Sequence, residues 1–221
     1  MHLLIIGGSG RTGKFFIEES LQKGHTITAL VRKTSSLSPA GGLAIVQGSC
    51  LDAKDVETAI ESSPTPPSAV VVTLASLRKT ESPFSKPVSS PTMMTDTHRV
   101  LIAAMKTHGI KKLVTMSVFG VGDSHPFVFF PTRLVLDYSG TSVAIKDHAG
   151  LEKLVRSSGL DWTLVRPVML TDGERNGVKV FGNQGKGVGS VPKVSRASVA
   201  GFMVGCLETD RWNGNTPVIA E

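Results

Sequence analysis

Cysteine is almost absent from this 221-residue chain: Cys50 and Cys206 stand alone, with no CxxC pair and no histidine cluster at metal-ligand spacing. Neither a disulfide framework nor a metal site is expected, and a reducing compartment suits the composition. Long hydrophobic runs are also missing. The opening apolar run, Leu3 to Ile6, ends at Gly7 and is far too short for a signal-peptide core. No later stretch approaches the ~18 apolar residues of a membrane span. The expectation is a soluble, cytoplasmic protein without a membrane partner. The net charge of +6 has no basic tail or run behind it. Residues 1–110 carry 11 basic and 8 acidic side chains and residues 111–221 carry 13 and 10, an even spread that argues against a nucleic-acid partner.

What the chain has is glycine, 23 residues of it, in short clusters between apolar runs. Its length suits a single domain spanning residues 1–221. β-branched runs read as strands at Leu3–Ile6, Thr26–Val31, Ala44–Gln47, Ala69–Leu74, Lys112–Ser117 and Trp162–Arg166. Helical patterns fit between them at Arg11–Lys23, Ala53–Glu61, Asp96–His108 and Val143–Ser158. Strands this uniformly apolar are covered on both faces, so the alternation predicts an α/β fold with a doubly wound parallel sheet. Three segments break the rhythm, 79–91, 119–142 and 168–191, and are expected to insert on the substrate side. The last has the spacing of a hairpin, Val178–Phe181 with Gly187–Val191, followed by a helix over Ser195–Cys206.

The strongest motif is Gly7-Gly8-Ser9-Gly10-Arg11-Thr12-Gly13, placed between the first strand and the first helix. Gly8, Gly10 and Gly13 satisfy G-x-G-x-x-G, the fingerprint of a Rossmann-type dinucleotide site. Glycine serves the sharp turn, the close approach of backbone to pyrophosphate, and the packing of helix on sheet, while the helix N-terminus offers free N–H donors. An NAD site would place a carboxylate about 20 residues on, at the end of the second strand. This chain has Arg32 and Lys33 there, followed by Thr34, Ser35 and Ser36. An arginine at that point can pair with a 2′-phosphate, so the expected cofactor is NADP(H).

Ser117 ends the fifth strand, where a hydroxyl could position a carbonyl or a nicotinamide amide; a serine there can equally be structural. His148 could donate a proton near neutral pH, or could be a solvated helix residue. Pro167 would shape the cofactor pocket through its backbone. Five of the 12 aromatics, Phe119, Phe127, Phe129, Phe130 and Tyr138, follow the fifth strand within 20 positions. Such a cluster can hold a flat ligand, pack in the core or form a subunit interface.

GGSGRTG, ALVRKTSSL, GSCLDAKDVETAI, LIAAMKTHGIKKLVTMSVFG and KDHAGLEKLVRSSGLDWTLVRP together resemble the NmrA-like group of atypical short-chain dehydrogenases, especially its flavin and biliverdin-IXβ reductase branch. The resemblance implies a monomeric Rossmann protein passing hydride from NADPH to a small conjugated acceptor, a flavin or a linear tetrapyrrole. It places the phosphate loop on Gly7, Ser9, Gly10, Arg11, Thr12 and Gly13, and the 2′-phosphate arginine on Arg32. The residues near the nicotinamide ribose fall on Leu74, Ala75 and Ser76, the pocket serine on Ser117 and the helix histidine on His148. Independently of the resemblance, the aromatic segment leads us to expect the acceptor pocket at Phe119, Phe127, Phe130, Val168 and Met169.

Several positions depart from the pattern. The usual Gly-Asp near the adenine is Gly48-Ser49, which leaves Ser49 or Cys50 for that contact. A second 2′-phosphate arginine is replaced by Ser36, and a pocket histidine by Val168. The Tyr-x-x-x-Lys pair of standard short-chain dehydrogenases is Ile145 and Ala149, and the only tyrosine, Tyr138, has Ser142 four residues on. Ordinary ketone reduction needs such a donor, whereas a flavin-like or quinoid acceptor spreads the incoming charge and takes its proton from solvent. An NADP(H)-sensing regulator and a biosynthetic isomerase or cyclase are the alternative expectations.

Overall fold

The computed structural model describes residues 1–76, 79–80, 82, 84–85 and 87–221. The elements run β1 (His2–Ile6), α1 (Arg11–Gln22), β2 (Thr26–Val31), β3 (Leu43–Gln47), α2 (Ala53–Glu61), β4 (Ala69–Val72), α3 (Met93–Thr107), β5 (Lys112–Met116), α4 (Phe130–Tyr138), α5 (Thr141–Arg156), β6 (Asp161–Pro167), β7 (Met169–Thr171), β8 (Lys179–Val180), β9 (Lys193–Ser195), α6 (Arg196–Leu207) and β10 (Val218–Ala220). Eight strands form one sheet in the order β3-β2-β1-β4-β5-β6-β10-β8, and β7 pairs with β9 in a separate ribbon. All neighbours in the large sheet run parallel except β10 and β8.

Side chains alternate across this sheet with the two-residue period of a strand, so each strand feeds two cores. Leu3 and Ile5 join Phe16 of α1 and Met203 of α6 on one face. Leu4 and Ile6 join Ile60 of α2, Leu101 of α3 and Leu151 of α5 on the other. Burial on both faces explains why the strands read as continuous apolar runs. The strand order reverses at β1, between β2 and β4, and doubly wound sheets open their ligand crevice at that reversal.

Three expectations need correction. The hairpin over 178–191 does not form: Val180 of β8 pairs antiparallel with Ile219 of β10, and 187–191 contributes no strand. The edge of a preformed sheet offers β8 a more continuous partner than the glycine-rich segment beyond it. The helix expected from Asp96 begins at Met93, because both oxygens of Asp147, reaching across from α5, accept the amides of Met94 and Thr95 at 2.8 and 3.0 Å. The aromatic segment contains a helix, α4, which the sequence pattern hid because none of its residues is buried. Part of the 79–91 insert, at residues 81, 83 and 86, lies outside the described residues.

Candidate functional site

The loop leaving β1 is shaped by what its glycines exclude. Gly7 has φ +89°, and a Cβ there would stand 2.9 Å from the Leu74 amide nitrogen. A Cβ on Gly13 would stand 2.3 Å from the Gly7 carbonyl oxygen, which already accepts the Gly10 amide at 2.9 Å. No side chain caps the start of α1, and its first turn holds no acidic residue. Its opening amides therefore have no side-chain acceptor, and with the favourable helix dipole these residues fit a pyrophosphate. Ser9 and Arg11 are exposed beside this loop, whereas Thr12 is buried beneath it. Arg11 reaches Asp172, just past β7, at 3.3 Å.

Arg32 and Lys33 are exposed where β2 ends, and neither side chain has a hydrogen-bond or ion-pair partner among the described residues. Ser36 lies in the short 3₁₀ turn Thr34–Ser36 and donates its hydroxyl to the Lys33 carbonyl at 2.6 Å. Beyond β3, the Ser49 amide donates to Asp55 Oδ2 at 2.8 Å, and its hydroxyl accepts the Leu51 amide. Asp55 of α2 thus brings to the Gly48-Ser49 turn a carboxylate that the family pattern carries in the turn itself. Cys50 does not face that turn: its Sγ lies 3.5 Å from Thr97 Oγ1 and it packs on the α2–α3 core. Leu74 and Ser76, both half-buried, and exposed Ala75 follow β4.

At the end of β5 the sequence left out the larger part of the site. Ser117, 3% exposed, donates its hydroxyl to Glu152 Oε1 at 2.7 Å. The same oxygen accepts Arg166 Nε at 3.0 Å, and Oε2 accepts Arg166 Nη2 at 2.6 Å. Arg166 is fully buried and also donates to the Asn183 carbonyl at 2.7 Å and pairs with Asp123 at 2.8 Å. Burial opposes its charge, but the Glu152 and Asp123 carboxylates outweigh burial and raise its pKa above the ordinary guanidinium value. A charge in the otherwise apolar run Thr163-Leu164-Val165-Arg166 was the available signal, because a buried arginine requires a carboxylate. Glu152 lies on the inward stripe of α5 with Leu151 and Val155.

His148 is one helical turn before Glu152 and is buried, not solvated, and its Nδ1 has no hydrogen-bond partner. Burial lowers its pKa to about 4, against the pull of Glu152 and Asp147 and with a small further push from His98. Near neutral pH this imidazole is uncharged. His98 of α3 is also buried, with Nδ1 at the Met94 carbonyl and Nε2 3.0 Å from Thr115 Oγ1; burial lowers its pKa too.

The five residues expected around an acceptor separate into two groups. Phe119 and Val168 are buried in the hydrophobic core, and Phe119 fills the space beside Gly185, where a Cβ would meet its ring at 2.5 Å. Phe127, Phe130 and Met169 are exposed. Phe130, Leu134 and Tyr138 recur every four residues along α4 and share one uncovered stripe. Pro167 is buried at the end of β6, with its carbonyl accepting the Phe119 amide at 3.0 Å. Elsewhere, Glu57 and Glu61 of α2 gather beside His108, whose Nε2 is hydrogen-bonded to Glu57. No helix among the described residues is long and apolar enough to cross a membrane.

Fold and loop together define a Rossmann-type dinucleotide-binding protein. Residues 7–210 match the NAD(P)H-binding family, and the chain belongs to that family. It is 27% identical over 173 residues to eugenol synthase 2 of Clarkia breweri, a match covering 74% of this chain and 47% of the relative. The chain spans about half the length of the curated relatives it matches. Among solved structures, it is similar to ChuY, an anaerobillin reductase from Escherichia coli, with TM-score 0.77, 22% identity and coverage of 100% of this chain and 96% of that one. It is also similar to a short-chain dehydrogenase/reductase from Veillonella parvula in complex with NADP, with TM-score 0.79, 14% identity and coverage of 100% and 94%. These structural likenesses establish the fold.

Proposed function

We propose that this protein is an NADPH-dependent reductase whose acceptor is a conjugated ring system of the flavin, linear tetrapyrrole or quinoid kind. The observation that carries this reading is a dinucleotide cradle with no poised proton donor beside it among the described residues. Ser117 commits its proton to Glu152, His148 is uncharged and buried, and Tyr138 stands 83% exposed on α4. An ordinary ketone develops alkoxide charge that needs a positioned acid, whereas a conjugated acceptor delocalises it and is protonated by water. The NADP bound by the Veillonella parvula protein and the reductase activity named for ChuY support the same reading.

In this reading the amides opening α1, with Ser9 and Arg11, hold the pyrophosphate, and Arg32, Lys33 and Ser36 hold the 2′-phosphate. Leu74, Ala75 and Ser76 border the nicotinamide ribose. Bound NADPH supplies the hydride, and solvent supplies the proton that completes the two-electron reduction. Ser117 would orient the acceptor, and exposed Phe127, Phe130 and Met169 would supply apolar surface for it. Positioning and exclusion of water are the protein's contribution to rate.

Two measurements test the proposal. Arg32→Ala should weaken NADPH binding about 30-fold, the worth of a charge-assisted contact, while NADH binding changes less than about twofold. Wild-type protein should oxidise NADPH in the presence of FMN, FAD, biliverdin or a quinone; no oxidation with any of them sinks the reductase reading. Tight NADP(H) binding without turnover would favour a redox-sensing regulator instead, for which the uncovered stripe on α4 is a ready docking face.

A further inference from the structure

We propose that Glu57 and Glu61 of α2 and His108 at the end of α3 form a binding site for a divalent transition-metal ion of the zinc class, a clip between two helices remote from the dinucleotide cradle. The inference stands apart from the reductase reading and does not depend on it.

Glu57 and Glu61 are four residues apart on α2 and share one face, where like charges repel. The last turn of α2 holds no basic residue, so Glu61 adds its charge to the negative end of the helix dipole. Neither carboxylate has a lysine or arginine partner among the described residues. What meets them is an imidazole. His108 caps the end of α3 and brings its Nε2 to Glu57. One ligand atom from each of the three residues lies within 4.8 Å of the other two. The His108 side chain is 18% exposed and that of Glu57 35%, so packing restrains both, while Glu61 closes the cluster from the solvent side.

An imidazole with two carboxylates is a donor set that zinc, cobalt and nickel ions accept, whereas magnesium and calcium take oxygen ligands. The ion would replace the contact between Nε2 and Glu57, taking the Nε2 lone pair with the ring proton on Nδ1. It would offset both carboxylate charges and leave its remaining positions to water. α2 ends before β4, and His108 lies just before β5, so the cluster sits at the edge where the parallel strands begin, opposite Gly7. A metal there ties α2 to α3 and takes no part in hydride transfer. No spacing along the chain marks the site, because His108 lies 51 positions from Glu57.

The test titrates Zn²⁺ by calorimetry into the untagged chain stripped with EDTA. One ion per chain should bind with a Kd of about 10 µM, and Mg²⁺ at about 1 mM should not displace it. His108→Ala and Glu61→Gln should each weaken Zn²⁺ at least about tenfold. His125→Ala, which removes a separate histidine paired with Asp137, should leave the affinity within about twofold. Zn²⁺ at about a hundred times its Kd should shift the folding equilibrium about a hundredfold toward the native state in urea, with NADPH affinity unmoved. Should His108→Ala not fold, Glu61→Gln, at an exposed position, decides alone. The proposal is overturned if Zn²⁺ does not bind, if binding survives both substitutions or is lost in His125→Ala, or if Zn²⁺ shifts NADPH affinity and not stability.

Discussion

At the end of β1 and at the end of β5 the same sheet builds two kinds of site. Around β1 the constraint is backbone: Gly7 turns where an L side chain is strained, and Gly13 brings α1 against the Gly7 carbonyl. Side chains contribute little there, since α1 starts without a side-chain cap. Beyond β5 the constraint is a buried polar layer drawn from several elements, with Ser117 just past β5, Glu152 and His148 on α5 and Arg166 on β6, and exposed Asp123 pairing with Arg166 from the loop between β5 and α4. A backbone site can bind the constant part of a ligand, the dinucleotide. A side-chain network can be edited residue by residue, which suits the part of the site that meets a variable acceptor.

The contrast can be broken most sharply at Arg166. Arg166→Met alone leaves Glu152 buried without its main partner and should cost about 4 kcal/mol of stability by urea denaturation, whereas the double variant with Glu152→Met should recover most of it. Equal losses in the two variants would show that the pair's charges are not what the layer depends on. On the backbone side, Gly13→Ala should cost about 3 kcal/mol and abolish NADPH binding, because the added carbon has no room at 2.3 Å from a carbonyl oxygen. Near-native stability with intact binding would remove the basis for the contrast.

Acid should strike the second site and spare the first. Above pH 6.5 His148 is neutral in both folded and unfolded chains. Below it the unfolded chain takes up a proton that the folded one refuses until about pH 4, so stability falls as pH falls through that window. The shift is worth about 3 kcal/mol. Stepped-pH urea titrations should show the slope, and His148→Leu should flatten it to the residue left by His98. An unchanged slope would assign the acid sensitivity elsewhere. The smallest expected effect is on α4, where Phe130→Ser combined with Tyr138→Ser should change stability by less than about 0.5 kcal/mol, since both side chains are exposed. The same double variant should raise the acceptor KM about fivefold; an unmoved KM would take α4 out of the acceptor wall.

The parallel core was legible in the chain because strands covered on both faces leave an uninterrupted apolar record, and β2 and α2 fall at the bounds the pattern gives. The phosphate loop was legible for a related reason: a turn with no room for Cβ admits one residue type. Short elements left a weaker record. β10 has three residues, and β8 has two and takes its partner from the far end of the chain. α4 has no fully buried residue and meets the core through half-buried Leu136, so its apolar face toward the core is slight. The start of α3 was displaced because its amides are capped by Asp147, a residue 53 positions away from Met94.

By itself, then, the chain determined what depends on neighbours in sequence: strand and helix periods, the glycine turn, and the basic pair at the end of β2 with no carboxylate beside it. The tertiary structure decided which polar side chains meet. Ser117 and Glu152 are 35 positions apart, and Glu152 and Arg166 are 14 apart on separate elements. Their encounter depends on how α5 packs on β5 and β6, and no local pattern encodes that distance. The physical reason is that backbone turns are restricted by sterics between adjacent residues, whereas a buried charge is tolerable only beside a partner that packing alone supplies.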